Sequence, residues 1–339
     1  MPTTTFNKCV GHDDRQNITA GVTANEWHTE DMTAYGVPAG AAGAILEFTT
    51  SSGSTSNLCG VRHPDSSGNY RNYIYTNSHV WLIAPLDASG NAEIWRSSAL
   101  SVYVHGYIAA DGGVTLTERV TKSMTDEYTW EDIDCSAQAP GAVALIFEAE
   151  TSYPNAGTIG YRKKGSTDTY TGSLRYHMGF IVACDSNQIC QIYRQSSVSV
   201  YLIGYITESD DTQFNMLTNW SNKTPPTTNE TEMDCSDVSV VNSTWFFVCT
   251  PSANTLVSGR PDSDYGFDYK VASGPEALYT PCAVLRSFLA RRAGGAIYYE
   301  GCAAEPPTGP GITSVDGIVG IASVDNISWG GLATIDGVG

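Results

Sequence analysis

Two histidines, His79 and His177, lie 98 residues apart, and each begins a short run of largely apolar residues. Imidazole is the commonest metal ligand in proteins and titrates near neutral pH, so a recurring histidine could bind a metal ion or transfer a proton. Neither histidine has a cysteine or a nucleophile motif nearby, and the sequence lacks the G-x-S-x-G, P-loop and H-E-x-x-H patterns. The pattern favours hydrogen-bonded structural histidines, so we predict no metal site, no cofactor and no catalytic residues.

Three arginines, Arg62, Arg162 and Arg260, each follow a glycine in a predicted strand. Such a row could line a carbohydrate groove. A long cationic side chain more often lies along its own sheet and pairs with a carboxylate, and we favour that interpretation. Residues 87–93 carry oxygen-bearing side chains at alternate positions, as a calcium loop does. Their glycine is misplaced for an EF-hand, so a tight turn explains the segment better.

Nine cysteines are present, and none forms a C-x-x-C pair, which argues against a zinc knuckle. Only Cys184 and Cys190 suggest a local disulfide, across the tip of a predicted hairpin. The odd total leaves one thiol free, or paired between chains, if the others are oxidised. Acceptor sequences for N-glycosylation occur at six asparagines: Asn17, Asn219, Asn222, Asn229, Asn242 and Asn326. Together these features favour an oxidising, extracellular or cell-surface location.

The predicted strands that carry the histidines and arginines repeat along the chain. The segment Ser101–Ile108, SVYVHGYI, recurs as Ser199–Ile206, SVYLIGYI, at the same offset that separates the two histidines. A more diverged copy, AIYYEGC, lies at Ala296–Cys302. Alternating valine and tyrosine closed by glycine is typical of a half-buried strand. Repetition at about 100 residues predicts three copies of one β domain.

Each copy has an acidic opening, a buried strand, a turn rich in Ser, Gly and Asn, an arginine-bearing strand and the closing strand. Short strands separated by turn clusters predict an all-β fold of three tandem β-sandwiches, Ig-like or jelly-roll-like. The predicted division is an N-terminal arm at 1–24, sandwich repeats at 25–115, 116–213 and 214–305, and an extended tail at 306–339. The N-terminal arm is expected either to be disordered or to dock on a neighbour.

The bulk charge argues against two classes of partner. The chain of 339 residues has 16% charged residues and a formal net charge of −18. Nucleic acids and anionic membranes need a basic face, so the acidic excess argues against both. No apolar run reaches the length of a membrane span.

The segment from Gly311 to Gly339 has no Lys or Arg, and its apolar residues recur at a spacing of three within two blocks. A strand has a period of two and an α-helix 3.6, so neither fits. Three residues per turn is the period of an extended polyproline-II-like chain. The apolar residues of this predicted assembly arm are Ile312, Val315, Ile318, Ile321, Val324, Ile327, Trp329, Leu332, Ile335 and Val338.

Such an arm cannot be ordered alone. Burying one aliphatic side chain contributes about 1.5–3 kcal/mol, whereas fixing three backbone residues costs about 3–6 kcal/mol. A groove or a sheet edge must therefore add backbone hydrogen bonds, at about 0.5–1.5 kcal/mol each. An arm that adds to a foreign sheet edge is the donor-strand mode of assembly. Head-to-tail contacts of that kind do not close, and so they produce filaments.

The two SVY strands resemble the Val-x-Val-x-Gly-Tyr-[Phe/Ile] strand of secreted bacterial β-sandwich repeat proteins. The C-terminal segment, ITSVDGIVGIASVDNISWGGLATIDGVG, resembles the Ile-x-x-Ile-[Asn/Asp]-Gly-Val repeats near the ends of some surface and phage-related chains. The whole chain resembles the tandem-sandwich subunits of extracellular filaments recovered from environmental samples. The third copy departs from the strand pattern, with Glu300 in an apolar position and Cys302 in place of tyrosine. The resemblance implies a structural role.

We therefore predict a structural subunit of an extracellular filament or surface assembly, without enzymatic activity, that polymerises through its C-terminal arm on a neighbouring copy. Its main expected partner is other copies of itself. The aromatic, turn-rich composition leaves an alternative open, a carbohydrate-binding or adhesive module with glycans as partners. A secreted hydrolase is the weakest alternative, kept because a glycosidase carboxylate pair leaves no local signature.

Overall fold

The computed structural model describes residues 6–8, 15–50, 57–74, 79–110, 113–152, 157–174, 176–195, 197–207, 213–224, 231–235, 237, 243–250, 257–260, 276–281, 287–292, 297–304, 314–315 and 318–319. Within these ranges the chain forms 26 strands and one short 3-10 helix, Met32–Tyr35. The predicted all-β class is confirmed. In the described ranges, no helix has the length and apolar character needed to cross a membrane.

The first repeat is a sandwich of two antiparallel sheets. Its strands are β1 (Phe6–Lys8), β2 (Gln16–Asn17), β3 (Trp27–Asp31), β4 (Gly43–Thr49), β5 (Asn57–Arg62), β6 (Arg71–Ile74), β7 (His79–Pro85), β8 (Asn91–Arg96) and β9 (Ser101–Ile108). One sheet has the order β1-β9-β4-β7, with β2 also paired to β9, and the other has the order β3-β8-β5-β6. From β2 to β9, consecutive strands alternate between the two sheets except at the β5–β6 hairpin, and this connectivity is that of a jelly roll.

The second repeat has the same strand order, and so do the described strands of the third. The second contains β10 (Val114–Thr121), β11 (Trp130–Asp134), β12 (Ala142–Thr151), β13 (Gly157–Lys163), β14 (Gly172–Leu174), β15 (His177–Ala183), β16 (Ile189–Arg194) and β17 (Val198–Thr207). Its sheets are β10-β17-β12-β15 and β11-β16-β13-β14. The third contains β18 (Gln213–Asn222), β19 (Thr231–Asp234), β20 (Ser243–Thr250), β21 (Val257–Arg260), β22 (Glu276–Pro281), β23 (Ser287–Arg292) and β24 (Tyr298–Ala304). Its described sheets are β18-β24-β20-β22 and β19-β23-β21. Of the two predicted sandwich types, the jelly roll is therefore the one present.

Part of the predicted N-terminal arm belongs to the first jelly roll. Phe6 lies opposite Ile108, and Gln16 lies opposite Val104, so β1 and β2 both pair with β9. Phe6 is fully buried. The prediction of a separate arm is wrong for these residues, because the free edge of β9 supplies hydrogen-bond partners that a polar, threonine-rich sequence does not reveal.

The three jelly rolls pack around a common centre rather than in a linear row. Equivalent edge strands contact one another in pairs: β7 with β15, β15 with β22, and β22 with β7. Strand β1 of the first repeat also contacts β20 of the third, which closes the ring. A central hydrophobic core shared by all three repeats contains Ile45, Trp81, Ile146, Ile181 and Tyr299 among its buried residues. The arrangement has approximate threefold symmetry within one chain.

This packing explains which strands are buried throughout. The sheets that contain β4 and β12, here called the inner sheets, face a sandwich core on one side and the central core on the other. Strands β7 and β15 are accordingly buried along almost their whole length. Strands β8 and β16, in the outer sheets, alternate between buried and partly exposed residues. Near-continuous apolar runs are expected where both faces of a strand are covered.

The centre of the ring holds residues of unequal size at equivalent positions. Trp81 in β7 corresponds to Gly179 in β15, since both lie opposite a buried glutamate of the neighbouring strand. A Cβ atom at Gly179 would lie 2.6 Å from the backbone oxygen of Trp81. Glycine therefore lets β15 approach β7 closely while a single indole ring fills the centre. Separate identical chains could not place tryptophan at one of these positions and glycine at another.

Candidate functional site

The jelly rolls meet at junctions built from equivalent elements. The 1–2 junction joins residues 63–70 of the first repeat to residues 116–120 of the second, where the register of β10 shifts. Ser66 Oγ and Tyr70 OH donate to Glu118 Oε2, at 3.0 and 2.8 Å. The 2–3 junction joins residues 163–170 to residues 216–221, where the register of β18 shifts. There Ser166 Oγ donates to Asn219 Oδ1 at 2.9 Å.

A buried charge network lies at the 1–2 junction. Arg119 Nε donates to Glu148 Oε2 at 3.0 Å, and Nη2 of the same guanidinium contacts the carboxylates of both Glu148 and Glu150. His177 Nε2 lies 3.2 Å from Glu148 Oε2. The Arg119 guanidinium also lies 4.3 Å from the centre of the Tyr201 ring. Glu148 and His177 are both 3% exposed, so this network is shielded from water.

The first repeat holds an equivalent network around Glu47. Arg15 and His79 contact its carboxylate directly. His105 Nε2, at 2.8 Å from Glu47 Oε2, completes the set. The Arg15 guanidinium lies 3.8 Å from the centre of the Tyr103 ring, as Arg119 lies over the corresponding tyrosine. Both recurring histidines therefore contact a buried glutamate of their own repeat.

The 2–3 junction replaces this network with aromatic packing. Trp220 is the last residue of the shifted segment of β18, and Arg119 is the last residue of the shifted segment of β10. Its ring stacks on Tyr170, with centroids 5.6 Å apart and planes 10° apart, and lies 5.2 Å from the ring of Tyr161. Tyr161 OH donates to Glu300 Oε1 at 2.7 Å. Equivalent junctions thus contain ion pairs in one case and stacked rings in the other.

The charges around Glu148 determine which chemical roles its carboxyl group can have. Burial raises the pKa of the Glu148 carboxyl, but the charge of Arg119 and the hydrogen bond with His177 outweigh burial and lower that pKa to about 2. A carboxyl with this pKa is ionised at neutral pH and cannot act as the general acid that glycoside hydrolysis requires. The possible ligand atoms of Glu148, Glu150 and His177 lie within 4.8 Å of one another. Because Arg119 already supplies positive charge to both carboxylates, we interpret the group as a structural ion network rather than a metal site.

Acid should weaken this network. The pKa of Glu148 is lower in the folded chain, about 2, than the value of about 4.3 expected when unfolded. Its ionised form therefore stabilises the fold above about pH 4–5, and this contribution, on the order of 2–3 kcal/mol, is lost as the pH falls toward 2. We expect Glu148→Gln to be less stable at pH 7 and to lose less stability between pH 6 and pH 3. Urea unfolding at several pH values measures this difference, and an equally steep loss in the variant would contradict it.

The arginines at the other predicted positions lie along their own sheets. Arg62 pairs with Glu93, and its guanidinium lies 4.2 Å from the centre of the Trp27 ring. Arg162 Nε donates to Gln191 Oε1 at 2.8 Å. Both arginines pack across the outer sheets, and Arg62 also contributes to the lining of a pocket at the 1–2 junction. The side chain of Arg260 lies outside the described residues.

The predicted disulfide between Cys184 and Cys190 is not formed. Both residues are buried free thiols, and Cys184 Sγ donates to the backbone oxygen of Ala142 at 3.1 Å. The physical reason is topological: β15 and β16 belong to different sheets, so the chain crosses the sandwich between the two cysteines instead of forming a hairpin. Burial raises the pKa of the Cys184 thiol to about 12. Among the cysteines whose side chains are described, Cys59, Cys135, Cys235 and Cys302 are also free.

Three of the six glycosylation acceptors lie in the described ranges. Asn17, Asn219 and Asn222 are exposed. Asn219 also accepts hydrogen bonds across the 2–3 junction, so it has a packing role. The acceptors Asn229, Asn242 and Asn326 lie outside the described residues.

The assembly arm is described at only four residues. Strands β25 (Ser314–Val315) and β26 (Ile318–Val319) pair antiparallel, with Val315 opposite Ile318. Val315 and Ile318 of the predicted arm are therefore paired with each other in the described part of the chain, instead of lying along one continuous extended edge. The intervening sequence, Asp-Gly, is a preferred two-residue hairpin turn. The other arm residues lie outside the described ranges: Ile312, Ile321, Val324, Ile327, Trp329, Leu332, Ile335 and Val338.

A pocket of about 190 Å³ opens beside the charge network of the 1–2 junction. Arg119 and Glu148 contribute to its lining, as do apolar side chains that include Ile83 and Ile203. Thr117 also lines the pocket, and its buried hydroxyl has no hydrogen-bond partner among the described residues. The sequence gives no sign of this pocket, because its lining comes from two repeats.

Comparisons with known proteins reveal no family. No model of a protein family matches the chain, and no curated protein matches it. A chain of the Sulfolobus Turreted Icosahedral Virus is 8% identical, with 90% of this chain and 100% of that chain covered and a TM-score of 0.23. A chain from an archaeal virus, described by its triple jelly roll fold and turret assembly, is 9% identical, with 89% and 91% covered and a TM-score of 0.20.

The tandem CBM22-1–CBM22-2 domain of Paenibacillus barcinonensis Xyn10C is 11% identical, with 53% of this chain and 82% of that chain covered and a TM-score of 0.16. With TM-scores this low, the likenesses do not place the chain in a family. The jelly-roll assignment depends on the strand order of the three repeats.

Proposed function

We propose that the chain is a structural subunit of an extracellular filament or surface assembly, and that it polymerises when its C-terminal segment, residues 306–339, docks on a neighbouring copy. The observation that carries the proposal is the contrast between a closed ring of three jelly rolls and a terminal segment of glycine and apolar residues. The ring is the body of the subunit, and the segment is its connector.

The way the ring uses its charged residues supports the structural role of the body. Arg119 of β10 reaches across β17 to two carboxylates of β12, the buried one of Glu148 and the partly exposed one of Glu150. Arg15 contacts the buried carboxylate of Glu47. The Arg119 guanidinium also lies over Tyr70 of the first repeat, so its network lies at the 1–2 junction. Ionisable residues held in this way stabilise one geometry and are not free to transfer protons to a substrate.

The composition of the C-terminal segment supports its role as the connector. It has one apolar residue in about three and no Lys or Arg after Pro310. The apolar burial it could gain alone does not offset the backbone entropy of ordering it. A neighbouring copy can supply both apolar contacts and backbone hydrogen bonds, which is how donor segments bind sheet edges.

The alternative carbohydrate-binding role has less support. In the described ranges the large exposed apolar side chains are Tyr73 and Tyr128. The outer-sheet rings of Trp27 and Trp95 are covered by the guanidinium groups of Arg62 and Arg71. Stacking of sugars on aromatic rings needs an accessible ring face. A glycan array with the full chain tests this alternative.

Imaging tests the proposal directly. The full chain and a variant that ends at residue 305 are compared by negative-stain microscopy and by sedimentation velocity, at the same concentration. We expect the full chain to form filaments or large assemblies and the shortened variant to remain a single copy of about 33 kDa, scaled by length from the 36.3 kDa of the full chain.

The control is a shuffled C-terminal segment of the same composition attached at residue 305. Loss of assembly in the shuffled chain would show that the order of residues, rather than the added mass, is responsible. Assembly of the shortened variant to the same extent as the full chain would contradict the proposal.

A further inference from the structure

The pocket at the 1–2 junction occupies the place that an aromatic side chain fills at the 2–3 junction. At the 2–3 junction Trp220 lies between Tyr170 and Tyr161, and its ring is 6.2 Å from that of Tyr298. Tyr161, 2% exposed, extends from the second sandwich into the junction and reaches Glu300. The 1–2 junction keeps two of these rings, as Tyr70 and Tyr201, but has no ring at the positions equivalent to Tyr161 and Trp220.

Two substitutions between the repeats account for the difference. The position of Tyr161, opposite Ile192, is Val61, opposite Ile94, in the first repeat. The position of Trp220 is Arg119, whose guanidinium lies over Tyr70 and Tyr201 at 5.1 and 4.3 Å. Valine and a guanidinium fill less space than a phenol ring and an indole. The space that remains is the pocket, which both Val61 and Arg119 line.

The lining of the pocket fits an indole group. Ile83, Leu116 and Ile203 provide apolar walls, and Tyr70 provides an aromatic one. The hydroxyl of Thr117 is buried and has no hydrogen-bond partner among the described residues. A buried indole needs an acceptor for its N–H group. Thr117 Oγ1 is the unpaired acceptor among the lining residues, and because neighbouring atoms cover it, an entering indole must displace them to donate to it.

We propose that this pocket receives the side chain of Trp329 from the C-terminal segment of a neighbouring copy. The inference rests on the proposed function and names the acceptor site for the connector. Trp329 is the one tryptophan after residue 305, and two glycines follow it, so the backbone there can approach a surface closely. The arginines of the lining are already paired, Arg62 with Glu93 and Arg119 with Glu148, so an uncharged side chain such as an indole is the matching occupant.

A peptide titration tests the inference on the full chain. The receptor is the full chain with Trp329→Ala, which leaves its pockets open, and the probe is a fluorescent peptide of residues 311–339. We expect the peptide to bind and its Trp329→Ala form to bind about tenfold more weakly, or worse, since buried aromatic anchors dominate such interfaces. Equal binding of the two peptides would overturn the inference.

Receptor variants identify the pocket. Val61→Tyr introduces the ring found in the second repeat and should abolish peptide binding. Thr117→Val keeps the shape of the side chain and removes the acceptor, so binding should weaken about threefold to tenfold. Thr115→Val, at an exposed position in the same strand, is the matched control and should bind as the parent receptor does. Thermal melts confirm that each variant is folded, and unchanged binding by both pocket variants would overturn the inference.

The outcomes separate this inference from the proposed function. If the chain that ends at residue 305 fails to assemble but Trp329→Ala and Val61→Tyr assemble normally, the connector is retained and the pocket is not its acceptor. If the chain that ends at residue 305 assembles normally, both proposals fail. If truncation, Trp329→Ala and Val61→Tyr all prevent assembly, the pocket is the acceptor.

Discussion

Replacing Arg119 with alanine should lower the free energy of unfolding by about 3–5 kcal/mol, the range measured when one partner of a buried ion pair is removed. The guanidinium contacts the carboxylates of Glu148 and Glu150 at the 1–2 junction, and Glu148 is nearly inaccessible to water. Without Arg119, a buried negative charge would lose its main compensation, and His177 alone would remain beside it. Urea unfolding at pH 7, followed by circular dichroism, measures the change.

The matched control is Lys164→Ala. Lys164 forms an ion pair with Asp132 on the surface, where water already solvates both groups. Surface pairs contribute little, so this variant should unfold at nearly the same urea concentration as the unmodified chain. A loss of stability for Arg119→Ala no larger than that for Lys164→Ala would show that the network does not hold the junction together.

The substitution Trp81→Ala should also cost about 3–5 kcal/mol, because it leaves a cavity where the three jelly rolls meet. Trp81 is 2% exposed and belongs to the central core. The centre of its ring lies 4.1 Å from that of the His105 ring. The substitution would therefore also remove a packing contact from the charge network around Glu47. Scanning calorimetry should show a lower melting temperature for the whole chain, not for one repeat.

Tyr128→Ala provides the control for lost aromatic area. Tyr128 is 55% exposed, so its removal should change the stability by less than about 0.5 kcal/mol. If Trp81→Ala were as stable as Tyr128→Ala, or if only part of the chain melted early, the central core would not join the three repeats.

Much of the fold could be predicted from repetition. The two SVY strands became β9 and β17, which occupy the same place in the first two jelly rolls. The period of two in these strands and the turn clusters between segments specify strands locally. The offset of 98 residues between His79 and His177 also placed both histidines on equivalent strands, beside equivalent glutamates.

The closed ring could not be predicted in this way. Strands β4 and β12 are buried on both faces, but an apolar run in one strand does not show which other element covers it. The difference between Trp81 and Gly179 is informative only once the two residues are known to meet. Likewise, Arg119 and Glu148 come from separate strands, and no local spacing connects them.

The disulfide prediction was wrong for a related reason. The sequence between Cys184 and Cys190 has the composition of a hairpin turn, and the backbone does turn there, since Asp185 N donates to the oxygen of Ile189. The turn connects two different sheets rather than neighbouring strands of one sheet. Residue types that favour a turn act locally, whereas packing determines the sheet to which each flanking strand belongs.

The claim on which the account depends is that the three jelly rolls form one body. Scanning calorimetry of the full chain, at a concentration below that of assembly, measures this most directly. If the three jelly rolls form one body, they should unfold in a single transition whose van't Hoff enthalpy equals the calorimetric enthalpy. At about 0.7 kcal/mol per residue, that enthalpy is about 200 kcal/mol. Three independent repeats would instead give a van't Hoff enthalpy near 70 kcal/mol, about one third of the calorimetric value, and that result would contradict the account.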